Sequence, residues 1–406
     1  KKEITRKWLM VLSAVVHLGV LCYFKYFNFF VQSFVDAANT LGWQILFSPE
    51  HILLPLAISF FTFHVLGYTF DVYQETYEPA DDYVDFITHV AFFPQLVAGP
   101  IERAGHLLPQ FTNPRSFSWN KMESGLSQML WGFFKKTVVA DSIGKFVTYV
   151  YASDASSGSN IILATLAFTI QIYCDFSGYS DIALGCARLL GFDLLKNFNF
   201  PYFATSLTEF WRRWHISLSS WITDYLYMPI SFGKRSWGKW GIVYAAIISF
   251  TLSGLWHGAQ WTAVIWGLMH GIVLGYEVLT KEVRKKWSQI IPHVVYSVVS
   301  AILVWLFWAA SQLVFRSGSI TKFQALWSRI CSESLFTMPY FSAVKDGLMW
   351  GGVLFLIEWI QRKKDYGLDL QNTNYMIRWT AYATIIVVIF SSDNLNNQNE
   401  FLYFQF

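Results

Sequence analysis

Long apolar stretches recur along the whole sequence and constrain the fold more than any other feature. A helix needs about 20 mostly apolar residues to cross a bilayer. The stretches that meet or approach this length are 8–30, 51–72, 122–150, 161–191, 240–256, 258–279, 292–315, 346–361 and 377–392. Only 14% of the residues are charged, against about 25% in soluble domains. The sequence therefore predicts an all-α polytopic membrane protein embedded in a lipid bilayer, with residues 1–406 as a single membrane domain.

The charges and cysteines exclude several other classes of protein. The net charge of +3 is spread over short loops, without the basic stripe that nucleic-acid binding needs, so we expect no nucleic-acid partner. The four cysteines show no C-x-x-C spacing, which favours buried thiols. We predict neither a metal site nor a tightly bound cofactor.

Short basic loops predict the orientation of the second half. Loops 234–239, 281–286 and 362–364 carry lysines and arginines, which mark cytoplasmic loops. Two apolar stretches separate each loop from the next, so all three are expected on the cytoplasmic side. The orientation of the first half stays open. Because basic residues also precede the first apolar stretch, we expect further helices upstream of this numbering.

One stretch carries residues that break a helix. Residues 83–98 contain Pro94 and run into Gly99 and Pro100. Irregular backbone at membrane depth is tolerated where it is buried in protein or lines a cavity. We therefore expect broken or re-entrant segments around a cavity.

The segment 201–229 has mixed polarity and contains a candidate functional histidine. Ser206 and Glu209 match a capping box, so a helix is predicted to begin there. A continuous helix would place His215 on a face walled by tryptophans and would pair Glu209 with Arg213. His215 is therefore either a functional group or a histidine whose hydrogen bonds are satisfied within the packing.

A second histidine lies between two long apolar stretches. A continuous helix would put Ser253, His257 and Trp261 on one face, while Gly254 and Gly258 would let another helix approach closely. An ionisable group inside the membrane is costly unless it faces a cavity or a partner. His257 is therefore a candidate functional residue, with a packing role as the alternative.

Two carboxylates and a third histidine are predicted to have structural roles. Asp175 and Asp181 are six residues apart, which places them on different faces of a helix and argues against a catalytic pair. We expect local hydrogen bonds instead, from Tyr179 to Asp175 and from Ser177 to Asp181. His270 lies among small residues, which favours helix packing.

Five short motifs follow one another along the chain. They are Tyr23-Phe-Lys-Tyr-Phe-Asn28, Phe93-Pro-Gln-Leu-Val-Ala-Gly-Pro100, Asp175-Phe-Ser-Gly-Tyr-Ser-Asp181, Glu209-Phe-Trp-Arg-Arg-Trp-His-Ile-Ser-Leu218 and Gly254-Leu-Trp-His-Gly258. In this order they resemble the membrane-bound O-acyltransferase (MBOAT) family, in the bacterial branch that includes alginate and peptidoglycan O-acetylation proteins. The resemblance implies a ring of transmembrane helices with broken segments around a central channel.

The resemblance also implies a reaction and its site. It assigns the catalytic histidine to His257 and a second functional polar residue to His215, 42 residues away, so the fold must bring them together. His257 is expected to take a proton from a hydroxyl, and His215 to orient the acyl carbonyl or stabilise its oxyanion. Arg212 and Arg213 are expected to bind phosphates of the donor, with pairing of Arg213 to Glu209 as the alternative.

The implied function is O-acylation of a cell-surface polysaccharide from the bacterial cytoplasmic (inner) membrane. An acyl group, expected to be acetyl, would pass from a cytoplasmic thioester, expected to be acetyl-CoA, to a glycan such as alginate or peptidoglycan outside the membrane. The segment 401–406 resembles a terminal aromatic motif of related acylation systems whose central tyrosine is implicated as a transient acyl carrier. Tyr403 is therefore expected to carry the acyl group to an extracytoplasmic, SGNH-hydrolase-like acyltransferase, with packing of the tail in a groove as the alternative.

Two other functions are compatible with parts of the sequence. A transporter or flippase for a lipid-linked glycan or acyl donor also needs broken helices and buried polar groups, but paired inverted halves are not visible. A scaffold without catalytic activity that recruits a secreted acyltransferase would not need two such histidines.

Overall fold

The computed structural model describes residues 2–96, 99–392 and 401–402 of the chain. These residues form helices joined by irregular connections and contain no β-strand. Within them, five helical stretches are long and apolar enough to cross a membrane: Glu3–Thr40, Gly158–Leu189, Lys239–His257, Trp261–Leu279 and His293–Ser317. The prediction of an all-α polytopic membrane protein is confirmed.

The helices are numbered in chain order. Those of the first half are α1 (Lys2–Leu21), α2 (Phe27–Thr40), α3 (Ile58–Tyr73), α4 (Tyr83–Ala91), α5 (Phe93–Leu96), α6 (Ala104–Thr112), α7 (Trp119–Phe133), α8 (Asp141–Ala152) and α9 (Gly158–Leu189). Those of the second half are α10 (Leu207–Trp211), α11 (Ile216–Ile222), α12 (Met228–Gly233), α13 (Lys239–His257), α14 (Trp261–Leu279), α15 (Lys281–Ile290), α16 (His293–Ser317), α17 (Ile320–Ile330), α18 (Lys345–Ile360) and α19 (Tyr375–Ser391). Each predicted apolar stretch overlaps one of these helices, except that 8–30 and 122–150 each overlap two, and residues 51–57 precede the start of α3.

The α9 helix lies at the centre of the fold. In its most apolar window 72% of the residues are buried, against 6% in the stretch formed by α1 and α2, which is therefore peripheral. The α7 helix crosses α9 at two glycine pairs, Gly125 with Gly185 and Gly132 with Gly178. A Cβ atom at any of these positions would overlap the other backbone, so the two helices approach more closely than larger residues allow.

The helical break predicted over residues 83–98 is confirmed. It is seen on both sides of residues 97–98, which are not among the residues that the structure describes. The α4 helix ends at Ala91, the short α5 follows, and the chain is irregular over 99–103. Its backbone donors are satisfied by side chains: Ile101 N–H donates to Ser217 Oγ at 2.9 Å, and Glu102 N–H donates to His64 Nε2 at 3.2 Å. These bonds replace the water that irregular backbone would otherwise need.

Wide π-type turns interrupt three helical stretches, and one of these turns carries two buried lysines. They are Cys22–Tyr26 between α1 and α2, Phe134–Ala140 between α7 and α8, and Thr223–Tyr227 between α11 and α12. The second turn directs two consecutive side chains, Lys135 and Lys136, into the core. Such turns are rare and frequently found at functional sites.

The two buried lysines correct the expectation for the acids of α9. Lys136 Nζ pairs with Asp175 at 2.7 Å, while Lys135 Nζ pairs with Asp181 at 2.9 Å and with Glu358 at 3.3 Å. The predicted local hydrogen bonds to these acids were wrong, because a lysine occupies one oxygen of each acid and a donor from another segment, Leu402 N–H or the Gln128 amide, occupies the other. The two acids do face different directions, as their spacing predicted, and each meets a different lysine.

Candidate active site

The α13 helix ends at His257 and packs tightly on α14. Gly254 lies against Gly267, where a Cβ on either residue would overlap the backbone of the other helix. The close approach predicted at Gly254 is confirmed. A continuous helix through Trp261 was wrong, because Gly258 adopts an extended conformation that ends α13 and Trp261 begins α14.

Lys25 holds the end of α13 next to His257. Its Nζ atom donates to the backbone carbonyl of Trp256 at 2.6 Å and lies 5.7 Å from the centre of the Trp256 ring. The last carbonyl groups of a helix lack partners within the helix, and a cation stabilises that end. The motif that contains Lys25 and the motif that contains His257 therefore meet at the candidate site, although Lys25 and Trp256 are 231 residues apart in the sequence.

The segment that carries His215 is broken rather than one continuous helix. The Ser206 side chain accepts from Glu209 N–H, which confirms the predicted start of α10. The helix nevertheless ends at Trp211, and His215 takes a left-handed conformation with φ 43° before α11 begins. The helix breaks because Ile216 N–H donates at 2.9 Å to the carbonyl of Asn197, on a neighbouring stretch of chain, in place of an intrahelical partner.

The side chain of Asn197 determines the tautomer of His215. Asn197 Oδ1 receives the backbone N–H of Ser217 at 3.3 Å and its hydroxyl at 2.8 Å. A backbone N–H is only a donor, so this Asn197 atom is an acceptor, and the His215 Nδ1 atom 3.1 Å away must carry a proton. The other ring nitrogen, Nε2, is therefore an acceptor, and it is buried without a partner among the described residues.

The fold brings the two predicted histidines together at a buried cavity. The ring centres of His215 and His257 are 6.4 Å apart, so the two residues are close in space although 42 positions separate them in the sequence. The cavity has a volume of about 50 Å³, and its mostly aromatic wall includes His257, Trp214, Trp266, Trp308, Phe315 and Gln312. His215 packs edge-on against Phe176, which also lines the cavity, with ring centres 4.7 Å apart.

The third histidine has the packing role that the sequence predicted. His270 is fully buried on α14. Its Nδ1 atom accepts from Trp211 Nε1 at 3.3 Å, and its Nε2 atom is 3.1 Å from Ser311 Oγ. Both ring nitrogens are thus satisfied, whereas Nε2 of His215 has no partner among the described residues.

The two arginines proposed as phosphate ligands have different surroundings. Arg213 donates to Glu209 at 2.6 Å, as the alternative interpretation predicted. Partial burial would raise the pKa of Glu209, but hydrogen bonds from Thr205 and from Arg213 outweigh it and lower that pKa below its usual value. Arg212 instead lines a separate cleft, beside Ser249 and Ser253 of α13.

The end of the described chain reaches the same cavity. Leu402 is 6% exposed, lines the cavity together with His257, and donates its N–H to Asp175 at 2.9 Å. Tyr403, the expected acyl carrier, lies outside the described residues.

Sequence reasoning missed three contributors to the site. Lys25 was visible as a cation inside an apolar stretch, which is itself a signal of function. Lys135 and Lys136 gave the same signal, since they too are cations inside an apolar stretch, but their pairing with acids of other helices was missed. Nothing in the spacing of Asn197 connected it with His215, because that contact depends on the break before α11.

The helical architecture of the described residues, with irregular segments and two histidines beside an aromatic cavity, defines this chain as a multi-pass membrane protein. Residues 81–308, which include both histidines, match the family model of MBOAT, the membrane-bound O-acyltransferase family. The chain belongs to this family, and the resemblance carried by its five motifs is confirmed.

Named relatives come from several bacteria. A probable alginate O-acetylase of Azotobacter vinelandii is 43% identical over 68% of this chain and 54% of its own length. A peptidoglycan O-acetyltransferase of Helicobacter pylori is 30% identical over 99% of this chain and 82% of its own length. A teichoic acid D-alanyltransferase of Bacillus subtilis is 27% identical over 63% of this chain and 67% of its own length. The chain spans about half the length of the alginate O-acetylases that it matches.

Proposed function

We propose that this protein is an O-acyltransferase of the bacterial inner membrane that moves an acetyl group from cytoplasmic acetyl-CoA towards hydroxyl groups of an extracytoplasmic polysaccharide. The observation that carries the proposal is the meeting of His215 and His257 beside a buried cavity. The names of the relatives support an acceptor on a cell-surface polymer, since they refer to alginate, peptidoglycan and teichoic acid.

His257 acts as the general base in the proposed reaction. It takes the proton of an acceptor hydroxyl while that oxygen attacks the carbonyl carbon of the thioester. The carbon–sulfur bond then breaks, the new oxygen–acyl bond remains, and the leaving thiolate receives the proton from His257. The aromatic wall supports this reaction because it excludes water that would hydrolyse the thioester.

The tautomer of His215 supports a role that differs from the carbonyl-orienting or oxyanion-stabilising role expected from the sequence. A carbonyl oxygen or an oxyanion needs a hydrogen-bond donor, whereas Nε2 of neutral His215 is an acceptor. We therefore assign His215 to a second donor group of the bound substrates, such as a neighbouring hydroxyl or an amide N–H, because the single proton of the attacking hydroxyl goes to His257. Asn197 is a positioning residue, because it sets the tautomer of His215.

Two unpaired donors in the cavity wall are assigned to the oxyanion. The side-chain amide of Gln312 and the indole N–H of Trp266 line the cavity and have no hydrogen-bond partner among the described residues. Leaving a buried donor unpaired costs about 1–3 kcal/mol in the resting protein. The same donor stabilises the transition state, because negative charge develops on the acyl oxygen only during the reaction.

The cleft beside Arg212 is the proposed donor entrance. Its empty volume is about 1350 Å³, including space open to solvent, and it runs along the face of α13 that carries Ser249 and Ser253. Ser253 is one helical turn before His257, so the cleft leads towards the base. Arg212 is the proposed phosphate ligand, while Arg213 is better assigned to its ion pair with Glu209.

The acceptor side involves the segment after α19. We assign Tyr403 as the first acyl acceptor, from which an extracytoplasmic, SGNH-hydrolase-like acyltransferase takes the group to the glycan. A phenol attacks a thioester poorly at neutral pH without a base, so this assignment requires His257. The position of Leu402 in the wall of the His257 cavity supports it.

The proposal is tested by incubating the purified protein in lipid with acetyl-CoA labelled in the acetyl group. Label is expected on the protein, and on glycan once the partner is added. His257→Ala is expected to remove both signals, and Tyr403→Phe to remove the carrier signal. The matched control is His17→Gln, since His17 is remote from the cavity and contacts Ser13 on α1. Movement of a glycan without transfer of label would instead support a transporter and overturn the proposal.

A further inference from the structure

The residues Phe401 and Leu402 are held against one face of α9 at the His257 cavity. The Leu402 backbone N–H donates to Asp175 Oδ2 at 2.9 Å. The Phe401 ring meets Tyr179 edge-on, with ring centres 4.9 Å apart, and its centre lies 4.7 Å from Lys136 Nζ. Asp175 and Tyr179 are one helical turn apart, so they form a single docking face.

The two oxygens of Asp175 have separate partners. Oδ1 accepts from Lys136 Nζ at 2.7 Å, and Lys136 also donates to Asp141 at 2.9 Å. A buried carboxylate is tolerated only when it is paired and hydrogen-bonded. Lys136 thus stabilises the charge and fixes the orientation of Asp175, while Oδ2 remains directed at the backbone of Leu402. The contact involves the main chain, so it does not depend on the Leu402 side chain.

We infer that Asp175, oriented by Lys136, is the docking group that holds the segment Phe401–Leu402 in the wall of the His257 cavity. The inference rests on the proposed function and deepens it. Docking matters for acyl transfer because Tyr403, the proposed carrier, is the next residue in the sequence. A docked segment turns transfer to the carrier into an intramolecular reaction, which raises the effective concentration of the attacking group. Asp175 is thus a positioning residue that acts through the segment.

The same helix provides a matched control for Asp175. Asp181 also pairs one oxygen with a buried lysine, Lys135, at 2.9 Å, and accepts from Gln128 with the other at 2.8 Å. An asparagine at either position keeps the shape of the side chain but converts one acceptor oxygen into a donor. It can therefore accept a hydrogen bond from only one of the two partners of the original aspartate. Asp175→Asn and Asp181→Asn therefore remove equivalent interactions, but only the first involves Leu402.

The test measures docking through the reactivity of a single thiol. Leu402→Cys is placed in a chain whose native cysteines, Cys22, Cys174, Cys186 and Cys331, are replaced by alanine. In lipid, this thiol is expected to react slowly with a water-soluble maleimide, because residue 402 is buried. Asp175→Asn is expected to raise the rate about tenfold or more, as loss of a hydrogen bond to a charged group predicts. Asp181→Asn is expected to leave the rate unchanged.

Two results would overturn the inference. One is equal protection of the thiol in the two asparagine variants. The other is rapid reaction of Leu402→Cys when both acids are present, which would show that the segment is not docked. Gel filtration and thermal unfolding verify that each variant is folded, and Asp175→Glu, which keeps two acceptors but displaces them, replaces Asp175→Asn if the latter unfolds. None of these rates depends on acyl transfer, so failure of docking is distinguishable from failure of the proposed function.

Discussion

In the proposed reaction His215 and His257 act together, so the effects of removing them are expected to be strongly non-additive. His257→Ala removes the base and is expected to lower the rate of acyl transfer by about 10²–10⁴-fold. His215→Ala is expected to be similarly severe, and the double variant hardly slower than the slower single one, as for residues that act as a unit. Turnover of labelled acetyl-CoA gives the rates, and thermal unfolding verifies the fold. Full activity in His257→Ala would contradict the assignment.

The proposed role of Gln312 as an oxyanion donor can be tested by a substitution that keeps the size of its side chain. Gln312→Met keeps the volume of the side chain and removes the donor, so kcat is expected to fall about 10²–10³-fold, as for other oxyanion donors. KM for acetyl-CoA is expected to change little, because the interaction is made mainly in the transition state. The control is Gln171→Met, since Gln171 is also buried with an unpaired Oε1 but lies outside the cavity. Equal effects of the two substitutions would assign Gln312 a structural role.

At the residue scale, the sequence indicated which groups are candidates for the site but not their tautomers or partners. His257 and His215 were recognisable as ionisable groups in apolar surroundings. The tautomer of His215 was not, because it depends on Asn197, which reaches the ring only where α10 and α11 are separated by a left-handed residue. A helical wheel assumes an unbroken helix and therefore cannot reveal such a contact.

The crossing of α13 and α14 leaves no room for a Cβ at Gly254. Gly254→Ala is therefore expected to lower the free energy of unfolding by about 1–3 kcal/mol, the usual effect of overpacking. It is also expected to reduce activity, because His257 lies one turn further along α13. Gly352→Ala on α18 is the control, since Gly352 has open space around it. Unfolding in detergent gives both values, and equal stability of the two variants would show that close packing at Gly254 is not required.

At the element scale, local signals predicted where helices begin, and non-local contacts decided where they break. The cap at Ser206 depends on residues within one turn, so it was readable from the sequence. The end of α10 depends on hydrogen bonds to a neighbouring stretch that includes Asn197. The ion pairs of Lys135 and Lys136 were hidden for the same reason, since both lysines and both acids were visible but their pairing follows from the packing of α7 on α9.

The orientation of the whole molecule can be tested at exposed positions in its basic loops. Single cysteines at Ser236, Glu282 and Lys363 are expected to be protected from an impermeant maleimide added outside spheroplasts, because basic loops face the cytoplasm. Met338→Cys lies one membrane crossing away from loop 281–286 and is expected to react. All variants are made in a chain whose native cysteines have been replaced. Labelling at Ser236→Cys, Glu282→Cys or Lys363→Cys would overturn the predicted orientation.

The buried ion pairs also restrict how the protein is made. A lysine at the centre of a bilayer costs about 2.5–3.5 kcal/mol, and Lys135 and Lys136 are synthesised before Asp175 and Asp181. Chains that stop after α8 are therefore expected to insert poorly in a glycosylation-tag assay, whereas chains that extend past α9 should insert well. Equal insertion of the two lengths would contradict this expectation. The translocon is therefore expected to shelter the helices α7 and α8 until α9 emerges, and the unit of biogenesis would be a group of helices that contains both lysines and their acidic partners on α9 rather than a single span.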